Sequence, residues 1–309
     1  MLSLVLMGVL LFAVLFTQTT VAHDGWSQTN SPIIEAGEVS YVELLFGNHS
    51  NDHASYRIDG TWNSDNSSVF VTTPTGEKID ISDTLFYTGE LSEVDGAQAG
   101  VNNYYVASFS SSTPGAYIVS VEGDSIFAHG DEASRTLRNA KSFVAINDIP
   151  VISQVKDFEG FDQQVSPDRA EFVPLFNPAA ITPEEELSVA LFLHGEPLAD
   201  TDVSLIRRST SDAEVITTNA DGIATFTVGE ADYYLMRAKP YTDEGKEGEF
   251  DKTNYEATMT FVVQNGAGHT TEELSNNTTE ILQNPFLLVS IFLFLGLLVS
   301  LILLFRKSK

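Results

Sequence analysis

The sequence predicts an all-β protein, two tandem β-sandwich domains set between two apolar end segments. Three observations carry that expectation. Short runs rich in β-branched and aromatic residues recur along the body, as at 39–46, 104–109, 187–193 and 255–263, and such residues suit a pleated, half-buried surface. Turn signals separate the runs, among them Ala36-Gly37-Glu38, Thr73-Pro74-Thr75-Gly76 and Thr218-Asn219-Ala220-Asp221-Gly222; short strands punctuated this way imply sandwiches. Outside the two end segments no stretch shows strong helical periodicity.

Taken in order, residues 1–22 are nearly all apolar and have the length of a signal peptide. Small residues Thr20 and Ala22 suit cleavage after Ala22, which makes His23 the first residue of the mature chain. An uncleaved anchor is the alternative. The first domain is expected over 23–148, with strands at 39–46, 68–72, 104–109, 117–121 and 141–146; the segment 131–141 allows a short helix. A crossover with weaker strand signals, running to about Ala170, leads the second domain, 149–264. Its strands are expected at 187–193, 202–206, 223–228, 233–238 and 255–263. Residues 265–284 read as a polar stalk. Residues 285–305 read as a transmembrane helix: 286–305 carry no charge, and at 1.5 Å per residue they span ~30 Å, one hydrocarbon thickness. The tail Arg306-Lys307-Ser308-Lys309 is then cytoplasmic by the positive-inside rule, which leaves the bulk of the chain outside a cell membrane.

Composition narrows the function. The 309 residues carry 16 basic and 43 acidic side chains, a formal charge of -27. Phosphate backbones select basic surfaces, so nucleic acid is excluded as a partner, whereas an acidic exterior concentrates cations. With no cysteine, disulfides and thiolate metal sites are also excluded. A metal ion would have to use His, Asp, Glu or the terminal amine. Nucleophile elbows of the G-x-S-x-G kind and H-E-x-x-H zinc motifs are missing, so no enzyme is expected.

His23 is the central candidate. A terminal histidine offers a free α-amine, with an ordinary pKa of about 8, beside its imidazole, and the two nitrogens close a chelate on one ion. His49 and His53 follow a strand in the loop His49-Ser50-Asn51-Asp52-His53, and loops at one end of a sandwich converge. His129 adds a further ligand candidate from a distant loop. Imidazole donors suit nickel, cobalt, copper or zinc. Asp24 and Asp52 are candidates to add oxygens or to orient a ring. His194 reads as a turn residue and Trp26 as core.

Specific pieces of sequence then carry a resemblance. They are Phe172-Val173-Pro174-Leu175-Phe176-Asn177-Pro178, Ile181-Thr182-Pro183-Glu184-Glu185-Glu186-Leu187, Leu193-His194-Gly195-Glu196-Pro197-Leu198-Ala199-Asp200-Thr201-Asp202-Val203 and Tyr255-Glu256-Ala257-Thr258-Met259-Thr260-Phe261. A histidine after the signal segment, Trp26, and Phe46-Gly47-Asn48-His49 accompany them. Together they resemble the NikM-type extracytoplasmic proteins, substrate-specific components associated with nickel and cobalt uptake. The resemblance implies a membrane-anchored metal-binding accessory, with nickel or cobalt as cargo and a multi-helix permease and an ATPase as partners. One anchor helix and no phosphate-binding Gly-rich loop mean that the chain is not a transporter by itself. The second domain also resembles transthyretin-like and collagen-adhesin B-type sandwiches. That implies two alternatives, a cell-surface structural or adhesion module without metal and, from the same histidines, a copper-handling protein.

Overall fold

The computed structural model describes residues 23–47, 61–88, 104–130 and 132–265. The signal segment, the stalk from residue 266, the expected membrane helix and the tail lie outside these residues. Among the described residues no helix is long and apolar enough to cross a membrane. The chain divides into two units, 1–264 and 265–309, and the described fold belongs to the first.

It is all-β. The first half contributes β1 (Asp24–Thr29), β2 (Ile33–Glu35), β3 (Val39–Gly47), β4 (Ser67–Thr72), β5 (Lys78–Asp80), β6 (Phe86–Tyr87), β7 (Tyr105–Ser110), β8 (Gly115–His129) and β9 (Glu132–Asn147). A single helical turn, α1 (Ile152–Val155), opens the crossover. The second half contributes β10 (Ala170–Pro174), β11 (Glu186–Leu193), β12 (Glu196–Pro197), β13 (Asp202–Arg207), β14 (Ala213–Thr217), β15 (Ile223–Thr227), β16 (Asp232–Ala238), β17 (Tyr241–Thr242) and β18 (Lys252–Val263).

These strands form one large sheet and two small ones. The large sheet runs β14-β13-β16-β18-β9-β8-β4-β5, with β17 on β18 and β2 on β9. It crosses from the second half to the first where β18 pairs in parallel with β9, from Lys252 opposite Ser134 to Met259 opposite Lys141. One small sheet, β1-β3-β7-β6, covers one face; the other, β10-β11-β12 with β15, covers the opposite face. Strand period decides which core each residue enters. Leu137, Phe143 and Ala145 of β9 pack with Phe172, Leu191 and Phe226. The intervening Ala140, Val144 and Ile146 pack with Val42, Leu44 and Ala107. Trp26 and Leu45 reach across to Ile206 and Leu235 of the second half.

The segment 132–141 is strand, not the short helix that its polar sequence allowed. Its residues form an antiparallel ladder with β8, from His129 opposite Glu132 to Gly115 opposite Ile146, and β18 occupies the other edge. Ladders on both edges pair the backbone from Ser134 to Lys141, which outweighs a weak local helical tendency.

Two polar devices hold the layers. The first closes the open edge of β1. Alternate side chains of β18 address its backbone: Glu256 accepts from the Gly25 amide at 3.1 Å, Thr258 donates to the Gly25 carbonyl at 2.8 Å and Thr260 to the Ser27 carbonyl at 2.6 Å. The second pins the crossover to the sheet. Lys141 of β9 is wholly buried and contacts Glu171 of β10 at 2.6 Å and the Gln163 carbonyl at 3.0 Å. Glu171 also accepts from the Val165 amide at 2.7 Å. Lys78 donates to the Val165 carbonyl and to Glu122, both at 2.7 Å, and Ser166 donates to the same carboxylate at 2.6 Å. Burial pushes the Lys141 ammonium below the usual lysine range, and the Glu171 carboxylate opposes that shift.

Breaking a buried pair strands a charge. Lys141→Met is therefore expected to cost about 3–5 kcal/mol in urea unfolding, and the double variant Lys141→Met with Glu171→Leu to recover most of it; a neutral single variant would show that the pair is not a structural determinant. Thr258→Val and Thr260→Val each leave a buried carbonyl of β1 without its donor, for a loss of about 1–3 kcal/mol in the same measurement.

Candidate functional site

The candidate site lies where the described residues begin, at His23. Asp24 opens β1 opposite Gly47, the last residue of β3, so the start of β1 and the end of β3 share one end of the small sheet. Trp62, where the chain returns, is fully buried and donates from Nε1 to the Leu45 carbonyl at 2.9 Å. Gly25 and Gly123 make room for its indole: a Cβ on either would lie 2.8 or 2.7 Å from a ring carbon. That end of the sandwich is thus a closed apolar floor.

Charge is packed beside it. Asp24 is 1% exposed and its carboxylate meets Arg237 at 2.6 Å and Lys239 at 2.7 Å. Lys239 also donates to the His23 carbonyl at 2.9 Å and lies 3.5 Å from Glu256. Glu256 pairs with Arg138 Nε at 2.8 Å, and Arg138 Nη1 donates to Ser125 Oγ at 2.7 Å. Three cations therefore share two carboxylates. Strand alternation explains the grouping, since Arg237 and Lys239 fall on one face of the chain leaving β16, while Glu256 and Thr258 fall on the matching face of β18.

The sequence candidates are distributed as follows. His23 is half-buried, its ring centroid 5.8 Å from that of Phe46, and its carbonyl is held by Lys239. His49, Asp52 and His53 lie outside the described residues. His129 ends β8; its side chain lies outside what is described, and by strand rise its backbone stands ~20 Å further along the hairpin than Gly123. Asp24 is committed to two cations rather than offered to a metal or a ring. His194 sits at a turn with φ 53° and its Nε2 lies 2.8 Å from Tyr255 Oη. Among the described residues no three His, Asp or Glu side chains come together that could hold a metal ion. An ion at His23 would need donors from outside the described residues.

Sequence reasoning missed Arg138, Arg237, Lys239 and Glu256. A signal existed: Arg237-Ala238-Lys239 spends two of only 16 basic residues at strand spacing, and Glu256-Ala257-Thr258-Met259-Thr260 alternates polar with apolar inside an otherwise apolar strand.

Fold and charge cluster together define the class: an all-β protein whose first described strand is clamped at its start by buried ion pairs. The chain belongs to the family described as a domain of unknown function, DUF4198, which matches residues 20–242. No curated protein matches it. Among solved structures it is similar to a DUF4785 family protein from Legionella pneumophila, at 12% identity over 69% of this chain and 51% of that one, with a TM-score of 0.24. It spans about half the length of that protein. It is also similar to the D0-D1 domain of intimin, at 12% identity over 78% and 99% of the two chains and a TM-score of 0.20. A third likeness is the Yersinia pseudotuberculosis adhesin InvE, at 15% identity, 75% and 58% coverage and a TM-score of 0.19. Scores this low speak to neither shared fold nor shared function.

Replacing Asp24 by Ala leaves Arg237 and Lys239 facing each other without their buried counterion. The expected loss is about 2–3 kcal/mol in urea unfolding, after discounting for the water that reaches Lys239. An unchanged midpoint would remove Asp24 as the anchor of β1.

Proposed function

We propose that the chain is a membrane-anchored extracytoplasmic protein that binds a divalent transition-metal ion at its N-terminal histidine, as an accessory to nickel or cobalt uptake. The observation that carries this reading is the register of β1 on β3. It sets Asp24, the neighbour of His23, opposite Gly47, and His49 and His53 follow Gly47 closely in the sequence. Lys239 supports the reading from below, because it fixes the His23 carbonyl and so limits the freedom that chelation by amine and imidazole would have to remove. The NikM-type resemblance supplies nickel and cobalt as the favoured ions and a multi-helix permease with an ATPase as the receiving partners. Imidazole and amine donors also accept copper and zinc, so the ion is decided by titration. The acidic surface, -27 overall, favours cation capture.

The test uses the full chain in detergent with signal processing after Ala22 confirmed by N-terminal sequencing. A parallel chain carries one Gly inserted before His23. Nickel, cobalt, copper and zinc are titrated calorimetrically into both. Binding tighter than about micromolar to the native terminus, weakened at least tenfold by the inserted residue, is the expected result. Equal affinity in the two chains would sink the terminal chelate, and no binding in either would leave a surface structural module.

A further inference from the structure

The hairpin of β8 and β9 outruns the strand beside it. β4 pairs with β8 only from Ser67 opposite Gly123 to Thr72 opposite Ile118, whereas β8 stays paired with β9 out to His129 opposite Glu132. The last hydrogen bond on the outer edge is that of the Asp124 amide, which donates to the Asn66 carbonyl at 3.0 Å. Backbone groups alternate between the two edges of a strand. Ile126 and Ala128 therefore direct both N–H and C=O outward, as Asp124 does, while Ser125 and Phe127 direct theirs to β9. Among the described residues no strand pairs with the outer edge beyond Asp124. Ile126 and Phe127 are 48% and 47% exposed, and as strand neighbours they lie on opposite faces of the hairpin. An edge of this kind is normally guarded by a charge or a proline. The two outermost strands of the large sheet follow that rule, with Lys78 and Asp80 on β5 and Glu214 on β14. The segment Ser125-Ile126-Phe127-Ala128 carries neither, and the neighbouring charge, Asp124, is already paired with Arg135.

We propose that this edge pairs with the same edge of a second copy of the chain, antiparallel about a two-fold axis between the two Phe127 residues, whatever the terminus binds. The free groups set the register. Two residues per copy, two positions apart, each offer one donor and one acceptor outward. Setting Ile126 opposite Ala128 of the second copy, and Ala128 opposite its Ile126, joins all of them in four hydrogen bonds. Phe127 then meets its own copy at a non-hydrogen-bonded position, where Cα atoms stand about 4.5 Å apart and side chains are closest. Sliding by two residues loses bonds in either direction. One slide calls on Asp124, whose amide is taken by Asn66, and the other runs into the turn at Gly130, φ 65°. The contact is isologous, so it closes at two copies and does not run on into a fibre. Charge favours a second copy over an unrelated strand. A peptide suited to a chain of charge -27 is basic and needs carboxylates along the edge, which Ser125 to Ala128 do not supply. Two copies of an uncharged segment meet without setting like charges opposite each other.

The experiment uses the full chain in detergent. Phe127→Cys introduces a single cysteine, because the native sequence has none. Mild oxidation is expected to convert most of this variant to a disulfide-linked dimer on a non-reducing gel, since opposed Cα atoms about 4.5 Å apart lie within disulfide reach. Ile126→Cys is expected to yield less than a tenth as much, because its copy is displaced by two residues, about 7 Å along the strand. Analytical ultracentrifugation is expected to show a dimer for the native chain and a monomer for Ala128→Pro. That proline removes only an outward N–H, so the β8–β9 ladder keeps its own bonds. Phe127→Lys sets two like charges across the axis, and it decides the matter if Ala128→Pro fails to fold. A monomeric native chain, a dimer that both variants leave intact, or equal cross-linking at 126 and 127 overturns the proposal.

Discussion

β9 is buried on both faces and hydrogen-bonded on both edges, and the rest of the structure depends on that position. From Leu137 to Ile146 that position leaves no side for water, so a charge buried there needs a partner inside the protein. Arg138 finds Glu256 on β18 and Lys141 finds Glu171 on β10. Both partners come from the second half of the chain. A shift of one residue between β9 and β18 would turn each charge toward the wrong core, and an unpaired buried charge costs several kcal/mol. The charges in β9 thus penalise every register but the observed one, while the apolar residues between them fill two separate cores.

The same logic explains how the first strand is held. β1 pairs with β3 on one edge only, and an unpaired strand edge is a site for aggregation or fraying. Here the other edge is answered by side chains instead of by a strand. Glu256, Thr258 and Thr260 supply one acceptor and two donors at the spacing of two residues that a strand imposes. Glu256 therefore serves three masters: the Gly25 amide, Arg138 and Lys239. Structural stitching and the candidate site are one network, and the residues that anchor β1 also determine what lies beneath His23.

Electrostatics at that end runs against the average of the molecule. The chain is strongly acidic, yet three of its few cations gather around the start of β1, and the buried carboxylates that balance them face inward.

What the sequence by itself determined was the class of fold and most of its strands. The runs at 39–46, 187–193, 202–206 and 255–263 all became strands within a few residues of their expected ends, because β-branched and aromatic side chains at period two need a sheet to bury them. His23 stood out in the sequence from its place directly after a long apolar run. Tertiary structure alone decided the parallel pairing of β9 with β18, since no local pattern distinguishes an edge that will be used by a strand more than a hundred residues away. It also decided the extension of β9 back through 132–141, where neighbours on both edges overrode a polar sequence. The charge cluster was hidden for the same reason. Asp24, Arg138, Arg237, Lys239 and Glu256 are ordinary surface residue types in sequence, and burial, which only the packed layers provide, turned them into a clamp.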